Sequence, residues 1–187
     1  MHRQKLLQLL THYKTPHMEE AAMADKTRRF VAQHENCFDR SLAHGHVTGS
    51  SWVVNPARTH TLMLLHRKLG LWLQPGGHAD GDPDITQVVL KETSEESGID
   101  LDQIRLVSDA IFDIDIHVVH PSEHDPRHTH FDIRFLVEID DQIPIPGNSE
   151  SHQIGWIPLE QVSRFNNARS LYRMLLKTRH MVATTRY

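Results

Sequence analysis

A single cysteine, Cys37, stands in 187 residues. An intramolecular disulfide is therefore excluded, and a packed core has to supply the stability. The lone thiol suits a reducing compartment, so the cytoplasm is the expected location. Long apolar runs are missing too. Nothing approaches the ~20 residues needed to span a bilayer, and the N-terminal MHRQKLLQLLTHYK carries only short apolar pairs. Neither a membrane partner nor a signal peptide is expected. Positive charge is not in excess: Lys and Arg total 20 against 24 Asp and Glu, a formal charge of -4. Bulk charge thus gives no ground for a nucleic-acid partner.

What is present is an ordinary soluble balance, with 39% hydrophobic and 24% charged residues. The length suits one domain with a modest extension. Histidine is the unusual count, at 16 residues. Protonating all of them would carry the charge from -4 to +12, so solubility and any metal binding should depend on pH around ~6.5.

Leu6, Leu9, Leu10 and Tyr13 recur at helical spacing, and Thr15-Pro16 ends the pattern. A second helix is expected from Met18 to Val31. These helices form an N-terminal extension, residues 1–42, suited to cover a pocket or to form a homodimer interface. From Val47 the period changes. SSWVVNP, TLMLLHR, LWLQ, IRLVSDAIFDIDIHVV, THFDIRFLVEI and GWIPL read as extended, and ARSLYRMLLKTRH reads as a closing helix with Leu171, Met174 and Leu175 on one face. Strands around one central helix, with helices at both ends, give an α/β sandwich with a mixed β-sheet over residues 43–187.

That central helix lies in PGGHADGDPDITQVVLKETSEESGI, residues 75–99. Asp82 is suited to cap it and Pro83 to open it, where a missing N–H costs nothing. Gly98 suits the left-handed residue after its end, with Ile99 packing back. Ile85, Val88 and Val89 make an apolar stripe, and Glu92, Glu95 and Glu96 continue it toward the C-terminus, where the helix dipole disfavours negative charge. Lys91 can pair with Glu95, but one cation does not balance three anions. A solvated, glutamate-rich helix end is the plain alternative. Crowded carboxylates otherwise call for a hard divalent cation.

The segment resembles the Nudix box: Gly, five residues, Glu, seven residues, then Arg-Glu-aliphatic-any-Glu-Glu-any-Gly-aliphatic. Gly77, Glu92, Glu95, Glu96, Gly98 and Ile99 match it. Pro83, Lys91 and Thr93 depart from it, standing where glutamate, arginine and an aliphatic residue are usual. The family's early glutamate and arginine commonly pair; Asp82 or Asp84 is available to pair with Lys91 instead. The resemblance implies a Nudix-type α/β/α sandwich. It implies a metal-dependent hydrolase cleaving a phosphoanhydride in a nucleoside diphosphate linked to another moiety. Mg²⁺ or Mn²⁺ would be held by Glu92 and Glu96, with Glu95 a ligand or hydrogen-bonding partner, and with the Gly76 carbonyl and Glu150 as further ligands. The general base among Glu92, Glu95 and Glu96 stays open.

A second set of residues falls partly outside the box. His78 follows Gly77, and HTHFD supplies His128, His130 and Asp132, which strand alternation puts on one face. His78, His128 and His130 suit a transition metal better than Mg²⁺; polar strand-edge residues or phosphate contacts are the alternatives. Isopentenyl diphosphate isomerase, which shares the Nudix fold, has Cys-Gly-His in this loop and a metal-binding Glu-x-Glu strand pair. Here the loop reads Gly76-Gly77-His78, without the acid/base cysteine. A non-catalytic binding module is a third reading, weakened by the retained glutamates. Substrate contacts are expected among Arg127, Arg134 and Trp72, with Trp52 and Arg67 as further candidates. The expected partner is a small nucleotide-like molecule.

Overall fold

The computed structural model describes residues 2–67, 69–121, 126–147 and 151–184. The chain forms two compact units. The first holds Met1–Ser50, Gly76–Val89 and Ser108–Phe135, and the second holds Ser51–Pro75, Leu90–Val107 and Leu136–Tyr187. The class is α/β with a mixed sheet and N-terminal helices, as the sequence suggests.

In the first unit, α1 (Gln4–His12) and α2 (Met18–Gln33) pack together. Leu6 and Leu10 of α1 are buried, which is what their i, i+4 spacing requires. Arg3, itself buried, donates to the carbonyls of Val31 and Ala32 at 2.8 and 3.0 Å, satisfying the open end of α2. Strand β1 (Gly45–Val54) begins here, with β4 (Gly76–His78) antiparallel to it in the register Thr48↔His78 and Ser50↔Gly76. Strands β6 (Asp113–Val119) and β7 (His128–Glu138) pair antiparallel from Asp113↔Arg134 to Val119↔His128. Helix α2 lies on β6. The carboxylate of Glu20, fully buried on α2, accepts from Tyr13 and Thr15 at 2.5 Å each and from the Ile114 backbone N–H at 3.1 Å. Phe30 stacks on Phe131 with centroids 3.9 Å apart.

In the second unit, β2 (His60–His66) pairs with the end of β1 at Val54↔Thr61, and with β3 (Trp72–Leu73) and β8 (Ser151–Pro158). The two-residue β5 (Arg105–Leu106) pairs with the end of β7. A short α4 (Val162–Phe165) precedes α5 (Arg169–Thr184), whose Leu171, Met174 and Leu175 are buried as their spacing predicts. Trp52 is fully buried, and its indole N–H donates to Thr178 Oγ1 at 2.9 Å. It is a core residue, unavailable for stacking on a substrate. Among the described residues no helix is long and apolar enough to cross a membrane.

Candidate functional site

The box helix is α3 (Ile85–Ser97). It starts later than the sequence suggests. Asp80 and Gly81 take positive φ, at 48° and 89°, and turn the chain; Asp82 Oδ1 then accepts the Asp84 N–H at 2.8 Å. Asp84 is the residue that caps the helix. Its carbonyl accepts from Gln87 and Val88, and its Oδ1 accepts from the Thr86 N–H at 3.2 Å. Pro83 therefore precedes the helix rather than opening it. At the other end Gly98 has φ 72°, and its N–H bonds the Ser94 carbonyl at 2.8 Å, while Ile99 is buried. That ending is the one read from the sequence.

Ile85, Val88 and Val89 are buried, so the apolar stripe holds. Gly49 of β1 makes room for it: a Cβ there would meet Ile85 and Val89 methyls at 3.0 Å. The glutamates divide. Glu96 is buried at 8% exposure and Glu92 is half-buried, beside buried Thr93 and Ser97. Glu95 is exposed and paired with Lys91 at 3.7 Å, so it does not continue the buried line. The suggested pairing of Lys91 with Asp82 or Asp84 is also corrected: Asp84 receives Lys5 Nζ of α1 at 2.7 and 2.8 Å. Glu150 lies outside the described residues.

The histidines converge in the first unit. His128 Nε2 lies 3.0 Å from His130 Nε2 on β7. His78 of β4 is 5.0 Å from His130 between ring centroids. A fourth, His46 of β1, lies 4.9–5.0 Å from all three rings. Sequence reasoning missed His46. The signal was its two-residue spacing from Thr48, which faces His78 across the β1–β4 ladder. Burial first, then the charges of His78 and His128, push the His46 imidazole down to about 4. Burial first, then His117 and the other ring charges, push His130 down to about 2.

The proposed substrate contacts fall in different settings. Arg127 is exposed. Trp72 is half-buried, edge-on to Phe165 at 5.2 Å, and its carbonyl accepts from Asn166 at 2.8 Å. Arg67 is exposed in the turn after β2. Arg134 is buried at 3%, its guanidinium bonded to Asp132 at 2.7 Å and to Asp113 and Asp115 at 3.4 Å. Asp132 in turn accepts from Thr48 and Ser50 at 3.0 and 2.8 Å.

A glycine loop running into a capped helix with Glu92, Glu95 and Glu96 is the box constellation, and comparison with known proteins agrees. The NUDIX domain model matches residues 46–177. The chain belongs to the NUDIX family. Among solved structures it is similar to a C. elegans Ap4A hydrolase, with TM-score 0.59 and 18% identity over 74% of this chain and 98% of that one. It is also similar to the E. coli dihydroneopterin triphosphate pyrophosphohydrolase, with TM-score 0.56 and 16% identity over 69% and 91%. A third is the NUDIX domain of Shewanella oneidensis NrtR complexed with ADP ribose, with TM-score 0.52 and 14% identity over 82% and 97%. At these identities the likeness speaks for the Nudix fold alone. Curated protein sequences return no match. The Nudix loop Gly76–His78 carries no cysteine, and Cys37 is buried, its thiol pushed up to about 11 chiefly by burial. The acid/base group that the isomerase reading needs is therefore not supplied by this thiol.

Proposed function

We propose that this NUDIX-family chain is a pyrophosphohydrolase that uses Mg²⁺ or Mn²⁺ to cleave the diphosphate of a nucleoside diphosphate linked to another moiety. The observation that carries the reading is the placement of Glu96: a carboxylate buried in the last turn of α3, one turn after half-buried Glu92. A buried carboxylate on a rigid helix is held in place to serve as an oxygen ligand. Oxygen donors at i and i+4 suit a hard divalent ion. The residues present fit the metal.

When bound, such an ion neutralises diphosphate oxygens and lowers the pKa of a coordinated water. The chain does the rest. Buried Glu96 offers a fixed carboxylate, and Glu92 sets a second donor beside it. One of Glu92, Glu95 and Glu96 takes the proton as water attacks phosphorus in line, and exposed Glu95 is the one already charge-paired, with Lys91. The resemblance adds the Gly76 carbonyl and Glu150 as further ligands. Arg127 is the proposed contact for the anionic substrate, being exposed and permanently charged. Trp72 remains in the substrate set read from the sequence, whereas Arg134, buried among Asp113, Asp115 and Asp132, is assigned to holding the sheet together instead. Residues 43–187 would carry the Nudix domain and 1–42 its extension.

A panel of diphosphate-linked nucleotides, assayed with Mg²⁺ and with Mn²⁺, tests the reading. Ap4A, ADP-ribose and nucleoside triphosphates belong in it, as the likeness to the three solved structures suggests. Turnover of at least one is expected, and Glu96→Gln should lower it by about 10²–10³-fold, the usual loss when one pre-organised electrostatic contact is removed. Turnover of none with either metal would replace catalysis by a binding role.

A further inference from the structure

We propose that His46, His78, His128 and His130 form a binding site for one divalent transition-metal ion, Zn²⁺ fitting best. The inference does not rest on the catalytic reading, since it uses none of the box glutamates.

The geometry comes first. One ring nitrogen from each histidine can be chosen so that all four lie within 4.8 Å of one another. Three strands contribute, β1, β4 and β7. Their close approach is built in at Gly45, where a Cβ would stand 2.5 Å from the Thr129 carbonyl oxygen and 3.1 Å from its Cβ. No other residue lets the start of β1 lie so near β7. The result is that the His46 ring stacks on His128 at 4.9 Å and 26°.

His46 supplies the second observation. It is 2% exposed, and neither ring nitrogen has a hydrogen-bond partner among the described residues. An imidazole always carries one donor or acceptor at each nitrogen, and a buried polar group left unsatisfied is costly. A metal ion among these rings is a partner that the described protein atoms do not provide.

Tautomers agree with this. His128 Nδ1 lies 2.8 Å from the Pro126 carbonyl, which can only accept, so Nδ1 carries the proton. Its Nε2 lone pair then faces the cluster. A backbone carbonyl holding the outer N–H is the usual support of a metal-bound imidazole. The 3.0 Å between the Nε2 atoms of His128 and His130 is close to the edge of about 3.3 Å that Zn–N bonds of 2.0–2.1 Å give in a tetrahedron. The widest separations need to close by roughly 1 Å or more on binding.

Charge completes the case. On β6 and β7 the same face carries His117 and His130, then Asp115 and Asp132, then Asp113 and Arg134, opposite one another in register. Among the described residues of this face, three carboxylates stand with one guanidinium. Four neutral imidazoles holding a divalent ion beside this excess of negative charge bring the face toward balance. Imidazole donors favour Zn²⁺ and its neighbours over Mg²⁺, which asks for oxygen. Four protein ligands make a closed, structural site, one that staples the glycine loop of the box to β1 and β7.

The test strips the 187-residue chain with a chelator and titrates it with Zn²⁺ and, separately, Co²⁺. Elemental analysis after gel filtration should find one Zn²⁺ per chain, Co²⁺ should give the intense visible absorption of a tetrahedral site, and Tm should rise on loading. His46→Gln should lose the bound ion, the absorption and the Tm rise, while the metal-free variant keeps the circular dichroism of metal-free parent. Glu96→Gln should keep all three signals. Three results would overturn the proposal: no retained ion in the parent, undiminished loading in His46→Gln, or loading lost in Glu96→Gln instead. A retained ion without any turnover would leave this site standing and sink only the catalytic reading.

Discussion

Replacing Arg134 by methionine removes a charge while keeping most of the volume, and the structure sets the cost. The guanidinium is 3% exposed and is bonded to Asp132, Asp113 and Asp115, of which Asp113 is fully buried and Asp132 is 2% exposed. Burial works against the Arg134 charge, but the three carboxylates outweigh it and hold its pKa above the ordinary guanidinium value. Methionine would leave buried carboxylates without this guanidinium. Breaking a buried ion pair by deleting one partner costs about 3–5 kcal/mol. For a chain of this size each kcal/mol is worth about 2–4 °C in Tm, so a fall of roughly 6–20 °C is expected. Arg134→Lys should fall in between, since an ammonium cannot reach three carboxylates as a planar fork does. Urea denaturation and calorimetry at pH 7 measure both variants. A loss below about 1 kcal/mol with a raised KM would refute the reasoning and return Arg134 to the substrate.

Two further outcomes are expected. With its thiol at about 11, Cys37 should be about one-thousandth thiolate at pH 8 and react with a disulfide reagent roughly a hundredfold more slowly in native protein than after denaturation; fast native labelling would contradict its burial. Lys5→Ala should cost at most about 1 kcal/mol at pH 7, because both partners of Lys5–Asp84 are partly exposed. Partial burial raises the Asp84 carboxyl, but hydrogen bonds from Lys5 and Thr86 and the Lys5 charge outweigh it and hold it below 3.8. A depressed folded value means that the pair stabilises above the unfolded pKa and stops doing so as pH falls through the folded one. The Tm gap between parent and Lys5→Ala should therefore shrink as pH drops below about 4, and a gap that widens there would contradict the ion pair.

Periodic elements were legible in the sequence because burial enforces their period. Leu6 with Leu10, and Leu171 with Met174 and Leu175, are buried as their spacing requires. The end of α3 was legible because Gly98 has one cheap role there. Its start was not, because Asp82 and Asp84 are both good caps and the choice between them is made by the turn at Asp80–Gly81 and by Lys5, 79 residues away. Two of the box glutamates lie where one face of the helix puts them. Glu95 does not, since a three-residue step in a helix spans a wide arc and only packing decides which edge stays dry. His78, His128 and His130 were visible as a set through alternation. His46 was legible only once the β1–β4 pairing is known, because strand pairing, not sequence distance, brings it beside them.

The departures at Pro83 and Lys91 gain a physical account from Lys5. In the resembling family an early glutamate and an arginine commonly tie the loop to the helix. Here Lys91 is spent on Glu95, one turn along its own helix, where it cannot fix a loop. The anion at the helix start is Asp84, and its cation comes from α1, with Lys5 Nζ also 3.3 Å from Thr86 Oγ1. Arg3, two residues earlier, anchors that same segment to the last carbonyls of α2. A tie made within the box is thus replaced by one made from the extension. Substituting glutamate at position 83 or arginine at 91 alone would not restore the family's pair, because the extension already occupies the helix start. The N-terminal helices are in this sense part of what positions the box, and removing them should disorder the start of α3 before it touches the packing of Val88 and Val89 against Gly49.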